Sequence, residues 1–166
     1  MNYPTIPMRV FLINVLEIDV VEFASLEGVL ILPWILKPVY GIISDRFPLC
    51  GTRRKGYIVL MNTLAGVLWC SFLLKTSLFT HLSSIVILLL TASMLTCFAD
   101  VMYDSIIVEY AQRESKKGTL QTYCWMARAL GSILGTIIGG LLCQQFQNQL
   151  HFVLSMTSVI HLATLL

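Results

Sequence analysis

The sequence predicts an all-α protein embedded in a membrane, and this prediction comes from its composition and the length of its apolar runs. Of the 166 residues, 57% are hydrophobic and only 12% are charged, whereas a soluble domain carries about 25% charged residues. With so little charge, the chain is expected to turn its apolar side chains toward lipid. The apolar runs are long and continuous, which favours transmembrane helices over the alternating segments of about ten residues in transmembrane strands.

Five segments are predicted as the helices of a transmembrane bundle that covers residues 23–166, and residues 1–22 are predicted as a separate segment before it. About 20 helical residues cross a hydrocarbon core of about 30 Å, so the first four helices are long enough to span and the fifth is short. The predicted helices are 23–43, 56–74, 84–111, 119–143 and 151–166.

The charges of the connecting loops alternate, and this alternation predicts the orientation of the bundle. The loops after the first and third predicted helices are basic, whereas the loops after the second and fourth carry one lysine or none. Because basic loops stay in the cytoplasm, both are predicted to be cytoplasmic in a multi-pass integral membrane protein. Seven of the eleven Lys and Arg residues lie in these two loops: Arg46, Arg53, Arg54, Lys55, Arg113, Lys116 and Lys117.

Four charged residues lie more than four residues from either end of a predicted helix: Lys37, Asp100, Asp104 and Arg128. Charges in hydrocarbon are costly and usually face a cavity or one another. The helical rise places all four about 10–16 Å from the cytoplasmic ends of their helices, so we expect them in one layer with no net charge. One interpretation is a polar pathway for substrate and protons, because two carboxylates share a helix face. The other is a structural ion-pair network, in which Lys37 extends toward the interface.

Two further patterns concern the shape and packing of the helices. Gly131, Gly135 and Gly139 recur at every fourth position, and such small residues let membrane helices pack closely. Pro33 and Pro38 each remove a backbone donor and are expected to kink the first helix. A kink beside a buried charge fits a binding site, and it equally fits ordinary helix packing.

The loop after the first predicted helix resembles the signature loop of the major facilitator superfamily. A glycine near the helix end is followed by an aspartate, a basic cluster and another span. In that superfamily the loop joins the second and third helices and holds contacts that break as the carrier switches. The resemblance implies a conformational-switch loop that contains Gly41, Asp45, Arg46, Arg53 and Arg54.

Four blocks, in the right order, resemble the folate–biopterin transporter family more closely. They lie at residues 32–45, 48–54, 99–113 and 120–131, and the resemblance extends from about residue 32 to 140. It implies proton-coupled secondary transport of folates or pterins by a twelve-helix alternating-access carrier. The resemblance also implies that Lys37, Asp100, Asp104 and Arg128 occupy the charged intramembrane positions of that family.

The resemblance covers helices two to six of the family fold, a partial N-terminal half. The expected partners are the lipid bilayer, a folate or pterin-like small molecule, and a C-terminal half that this chain lacks, so we expect no transport by this chain alone. A carrier of another organic solute and a non-transporting subunit or regulator remain alternatives. No nucleophile–base pair, metal-ligand pattern or dense basic block stands out, so an enzyme, a cofactor or metal site and nucleic-acid binding are not predicted.

Overall fold

The computed structural model describes residues 5–16, 18–49, 51, 54–71, 82–113, 118–146, 153–154 and 156–159. Among these residues, three helical stretches are long and apolar enough to cross a membrane, judged by length and composition: Val21–Arg46, Leu82–Arg113 and Thr119–Gln145. The predicted all-α membrane class is therefore confirmed. The helices are α1 Thr5–Leu16, α2 Val20–Leu30, α3 Leu32–Ile35, α4 Lys37–Arg46, α5 Lys55–Cys70, α6 Leu82–Arg113 and α7 Thr119–Gln145.

The predicted helix boundaries and the observed ones can be compared only in part. The helix predicted at 56–74 corresponds to α5, whose 16 residues extend about 24 Å, and residues 72–81 lie outside the described part. Most of the helix predicted at 151–166 also lies outside it, although 153–154 and 156–159 are helical. Residues 5–16, within the segment predicted to precede the bundle, form α1.

The first spanning stretch is a broken helix, because two prolines interrupt its hydrogen-bond ladder. Pro33 and Pro38 lie near the starts of α3 and α4, and the turn residues Ile31 and Leu36 separate the three short helices. Trp34 N–H donates to Ile31 O at 2.9 Å, one residue closer along the chain than in an α-helix. The regular ladder is therefore interrupted as far as Leu36, immediately before Lys37.

Side chains of α6 satisfy two of the carbonyl groups at this break. Ser93 Oγ donates to Leu30 O at 3.2 Å, and Cys97 Sγ donates to Pro33 O at 3.4 Å. Unsatisfied backbone groups are expensive inside a membrane, so such donors allow a helix to be broken there. Both donors lie on one face of α6 because they are four residues apart.

Helix α6 is the centre of the described bundle, since it packs against α2, α3, α4, α5 and α7. One apolar cluster, around Phe11, joins α1 to α5, α6 and α7. A second cluster joins α4 and α5 to α6, where the Phe98 ring lies 5.1 Å from Tyr40 and 5.2 Å from Tyr57 between centroids. The broken helix and α7 therefore both lie against the same central helix.

Helix α7 carries many exposed apolar side chains, and its glycines differ in their surroundings. Gly139 is buried, whereas a Cβ added at Gly131 would meet nothing within 4 Å. Gly135 is partly buried between them along the helix. The packing role of this glycine repeat stays a prediction.

Candidate functional site

The four charged residues inside the helices form one ion-pair network. Lys37 Nζ of α4 lies 2.8 Å from Asp100 Oδ2 of α6. Arg128 of α7 reaches both carboxylates, with Nη1 3.3 Å from Asp100 Oδ1 and Nη2 2.7 Å from Asp104 Oδ1. The network, made up of Lys37, Asp100, Asp104 and Arg128, joins three helices and carries no net formal charge.

The sequence of α6 explains why the network forms at this place. Ser93, Cys97, Asp100 and Asp104 follow one another at intervals of four, three and four residues, which keeps them on one helix face. The first two hold the broken helix through its carbonyl groups, and the third meets Lys37 at the start of α4. The break and the ion pairs are therefore consecutive parts of one contact between helices.

The two carboxylates of the network differ in their surroundings. Asp100 contacts both cations, and 22% of its side chain is exposed. Asp104 has Arg128 as its ion partner within the described part of the chain, and 41% of its side chain is exposed. Asp100 therefore acts as the link between the two cations, and Asp104 is the carboxylate with greater access to its surroundings.

Each cation of the network also contacts a tryptophan three residues before it. Lys37 Nζ lies 4.4 Å from the centroid of the Trp34 ring, and Arg128 Cζ lies 5.5 Å from that of Trp125. Both distances lie within the range of about 6 Å for cation–π interactions. Each cation is thus held by a carboxylate of α6 and by an indole ring of its own spanning segment.

Two cavities meet at the network. A cleft of about 580 Å³ lies between α4 and α6 and is lined by Lys37, Gly41, Arg54 and Asp104 among others. A smaller cavity of about 130 Å³ lies between α6 and α7, where Asp104 and Arg128 contribute to its wall. Because Asp104 lines both, a ligand in either cavity can reach the same carboxylate.

Arg54 anchors the predicted switch loop to α6. Its Nη1 lies 2.7 Å from Glu109 Oε1 and donates to Ser105 O at 2.8 Å, while Nη2 lies 3.7 Å from Asp45 Oδ1. The side chain of Arg54 is only 19% exposed, so its positive charge is surrounded mainly by these protein groups and little by solvent. The loop end of α4 and the end of α6 are therefore connected through one arginine.

The other residues predicted for the switch loop have different positions. Gly41 lines the 580 Å³ cleft, and a Cβ added to it would meet nothing within 4 Å. Arg46 is exposed at the end of α4. Arg53 lies outside the described residues. Gly51 has a φ of 74°, a left-handed conformation that glycine adopts readily and that turns the chain back toward α5.

Sequence reasoning missed an ion pair between α1 and α2. Arg9 of α1 donates through Nε and Nη2 to Glu27 Oε1 of α2, with an Nε–Oε1 distance of 3.1 Å, and its guanidinium lies 5.4 Å from the Phe23 ring centroid. Glu27 falls inside the helix predicted at 23–43, so its charge was a signal that could have been followed. Its partner could not be named, because Arg9 lies in a run too short to be predicted as a span.

Within the described residues, no group of three or more His, Cys, Asp or Glu side chains could hold a metal ion. The polar side chains that line the two cavities carry ammonium, guanidinium, carboxylate, amide, hydroxyl and thiol groups. The ammonium and guanidinium groups of this set can bind anions, and the two carboxylates can compete with such anions for them.

Comparison with known proteins identifies the family of this chain. The sequence profile of the BT1 family matches residues 2–166. The folate-biopterin transporter of Synechocystis sp. is 35% identical over 147 residues, which cover 87% of this chain and 29% of the relative. "Probable folate-biopterin transporter 4" of Arabidopsis thaliana is 33% identical over 124 residues, which cover 74% of this chain and 25% of the relative. No solved structure matches the chain.

The chain thus matches between a quarter and a third of the length of these two relatives. The helical stretches long enough to span a membrane and the family match agree on a multi-pass integral membrane protein. The matched relatives are named as transporters, so the family is one of transporters and not of enzymes. The chain belongs to the BT1 family, and its ion-pair network lies within the part that it shares with relatives named as folate-biopterin transporters.

Proposed function

We propose that this chain provides membrane helices of a secondary active transporter for folate- or pterin-type solutes, and that transport is coupled to protons. The observation that carries the proposal is the neutral ion-pair network, whose two cations and two carboxylates are shared among three helices and border two cavities. Intramembrane ionisable residues of this kind mark substrate and proton pathways. The names of the relatives suggest the substrate class.

Charge balance gives the network a way to couple an anion to a proton. A carboxylate of the substrate binds Arg128 in place of Asp104, so the guanidinium keeps two anionic partners. Asp104 then has no cation beside it, and a bare carboxylate is unfavourable where water is scarce. It takes one proton from the aqueous side, and the site returns to neutrality with substrate and proton bound. Release of the substrate lets Asp104 lose the proton and pair with Arg128 again.

Asp104 suits the proton-carrying role better than Asp100. It has one cationic partner where Asp100 has two, its side chain is more exposed, and it lines both cavities. Asp100 keeps Lys37 as a partner even if Arg128 turns to a substrate. We therefore assign Asp100 to holding the two cations in position and Asp104 to exchange.

We assign the switch loop a mechanical part in the same cycle. The cleft of about 580 Å³ is bordered by Lys37 at one end and by Arg54 and Glu109 at the other. Its volume falls within the range of about 300–1,000 Å³ for small-molecule sites. Separation of Arg54 from Glu109 would let the ends of α4 and α6 move apart and open this cleft, in line with the resemblance to the superfamily loop.

The test places this chain in a longer transporter, because carriers of this kind bind substrate between two structural repeats. The matched 147-residue segment of the Synechocystis relative is replaced by the corresponding part of this chain, and radiolabelled folate uptake into proteoliposomes is measured with and without an inward proton gradient. We expect saturable uptake that the gradient stimulates. If the unmodified relative transports folate and a correctly inserted chimera does not, the proposed function is wrong.

The proton role is tested in the same chimera. Asp104→Asn is expected to keep folate binding and exchange but to lose stimulation by the gradient, because the amide cannot take up the proton. Glu27→Gln is the matched control, since it removes a carboxylate from the same bundle but outside the network. Gradient stimulation that survives in Asp104→Asn at the level of Glu27→Gln would remove the proton role from Asp104.

A further inference from the structure

We propose that Trp125 recognises the planar ring of the substrate by stacking in the cavity between α6 and α7, beside the anion site on Arg128. The inference rests on the proposed function and deepens it. It assigns the ring and the charged group of the substrate to two neighbouring side chains of one helix. The ligand class is a flat heteroaromatic ring, with or without an attached carboxylate.

The geometry of α7 presents the two side chains together. Trp125 and Arg128 are three residues apart and share a helix face, with the guanidinium carbon 5.5 Å from the ring centroid. Trp125 is 60% exposed, so other side chains of the described structure cover less than half of its surface. A ring that stacks on it would therefore hold an attached carboxylate within reach of Arg128.

The cavity beside Trp125 adds a second polar group suited to a heteroaromatic ring. Gln121 lies one turn before Trp125 and lines the same cavity of about 130 Å³. Its amide can both donate to ring nitrogens and accept from ring N–H or amino groups. Ile107 and Val108 of α6 supply apolar wall on the facing side. The cavity thus combines an aromatic plane, an apolar wall and one amide.

Trp34 provides a matched comparison within the same molecule. It lies three residues before Lys37, contacts that cation at 4.4 Å, and is 43% exposed. It lines neither of the two cavities at the network. Loss of Trp34 therefore removes a cation contact without removing a cavity wall, whereas loss of Trp125 removes both.

The experiment measures binding of folic acid and of 6-methylpterin, in lipid nanodiscs, to the chimera of this chain with the Synechocystis relative. 6-Methylpterin has the ring without the carboxylate tail, so it isolates ring recognition. We expect Trp125→Leu to raise the Kd for both probes about tenfold, which corresponds to about 1.4 kcal/mol. Trp125→Phe, which keeps an aromatic plane, should stay within about threefold of the wild type.

Two control variants separate stacking from its alternatives. Tyr123→Leu removes an aromatic side chain of the same helix that is 64% exposed and lines neither cavity, and it should leave both Kd values unchanged. Trp34→Leu should change them by less than about threefold. Circular dichroism of each variant confirms that helix content is retained, and Trp125→Phe keeps the test decisive if Trp125→Leu is poorly folded.

The outcomes distinguish this inference from the proposed function. If the chimera binds the probes and Trp125→Leu behaves like Tyr123→Leu, ring recognition by Trp125 is overturned while the transport proposal stands. Equal effects of Trp125→Leu and Trp34→Leu would likewise overturn it, because they would point to the shared cation contact. If the chimera binds neither probe while the unmodified relative binds both, the network is not a site for this substrate class and both proposals fail.

Discussion

Removing the charge of Asp100 should destabilise the protein more than removing that of Asp104. Asp100→Asn leaves Lys37 without the carboxylate that lies 2.8 Å from its ammonium group, and it takes one of two carboxylates from Arg128. Asp104→Asn takes one carboxylate from Arg128 and leaves the other. The two substitutions have the same chemistry, so each controls for the other.

The magnitude follows from the burial of the pairs. Breaking a buried ion pair from one side costs about 3–5 kcal/mol, whereas exposed pairs contribute about 0.2–1 kcal/mol. The side chains of Lys37 and Asp100 are 33% and 22% exposed, between these limits. We expect Asp100→Asn to lower the free energy of unfolding by about 2 kcal/mol, or about 4–8 °C in Tm. For Asp104→Asn we expect about 1 kcal/mol, or about 2–4 °C.

A double-mutant cycle isolates the pair. Lys37→Met together with Asp100→Asn removes both members and leaves Arg128 with Asp104, so no charge of the network is left without a partner. The double variant should therefore be more stable than Asp100→Asn alone, with a coupling energy of about 1–2 kcal/mol. The assay is thermal unfolding of the purified chain in detergent, followed by helical circular dichroism.

Two results would refute this reasoning. Equal Tm losses in Asp100→Asn and Asp104→Asn would mean that the number of cationic partners does not set the contribution of each carboxylate. Additive losses in the double variant would mean that Lys37 and Asp100 do not stabilise each other, and that Lys37 instead extends to the membrane interface.

Three further predictions test other parts of the fold by the same unfolding assay. Glu27→Gln should lower Tm by less than about 3 °C, because its ion pair with Arg9 is exposed and such pairs contribute about 0.2–1 kcal/mol. A larger loss of Tm would show that this ion pair stabilises the fold. Ser93→Ala should lower the free energy of unfolding by about 1 kcal/mol, since the carbonyl of Leu30 loses its side-chain donor. A loss below about 0.3 kcal/mol would mean that another donor replaces it. Gly51→Ala should cost about 1 kcal/mol because its φ is positive, whereas Gly28→Ala, a helical position with open space, should be neutral or stabilising. Equal effects of these two glycine substitutions would contradict the backbone argument.

The membrane class of the fold could be predicted from sequence because it depends on bulk properties. Long apolar runs and few charges dictate helices in lipid whatever their arrangement. The break beside Lys37 could be anticipated in part, since Pro33 and Pro38 each remove a backbone donor. The groups that satisfy the broken ladder could not, because the helix spacing of Ser93 and Cys97 does not say which neighbour they meet.

The same limit applies to the candidate site. Depth along each helix could be estimated from the rise per residue, which grouped Lys37, Asp100, Asp104 and Arg128 in one layer. Depth does not determine which helices are neighbours. The contact of Asp100 with two cations could therefore be identified only from the structure. Trp125 could be noted only as a member of the block at 120–131. Its place in a cavity could not be predicted, because that cavity is formed between α6 and α7.

The sharing of Asp100 between Lys37 and Arg128 has a consequence for the order in which the chain enters the membrane. Lys37 precedes Asp100 by 63 residues. At a synthesis rate of about 5–20 residues per second, the carboxylate of Asp100 is therefore made roughly 3–13 s after Lys37. Its long side chain can spend this interval at the membrane surface. Helix α6 then brings two carboxylates, and α7 supplies the second cation after it. The order of synthesis therefore favours membrane insertion of the later helices. Helices α6 and α7 each enter a membrane in which an earlier helix already offers the opposite charge.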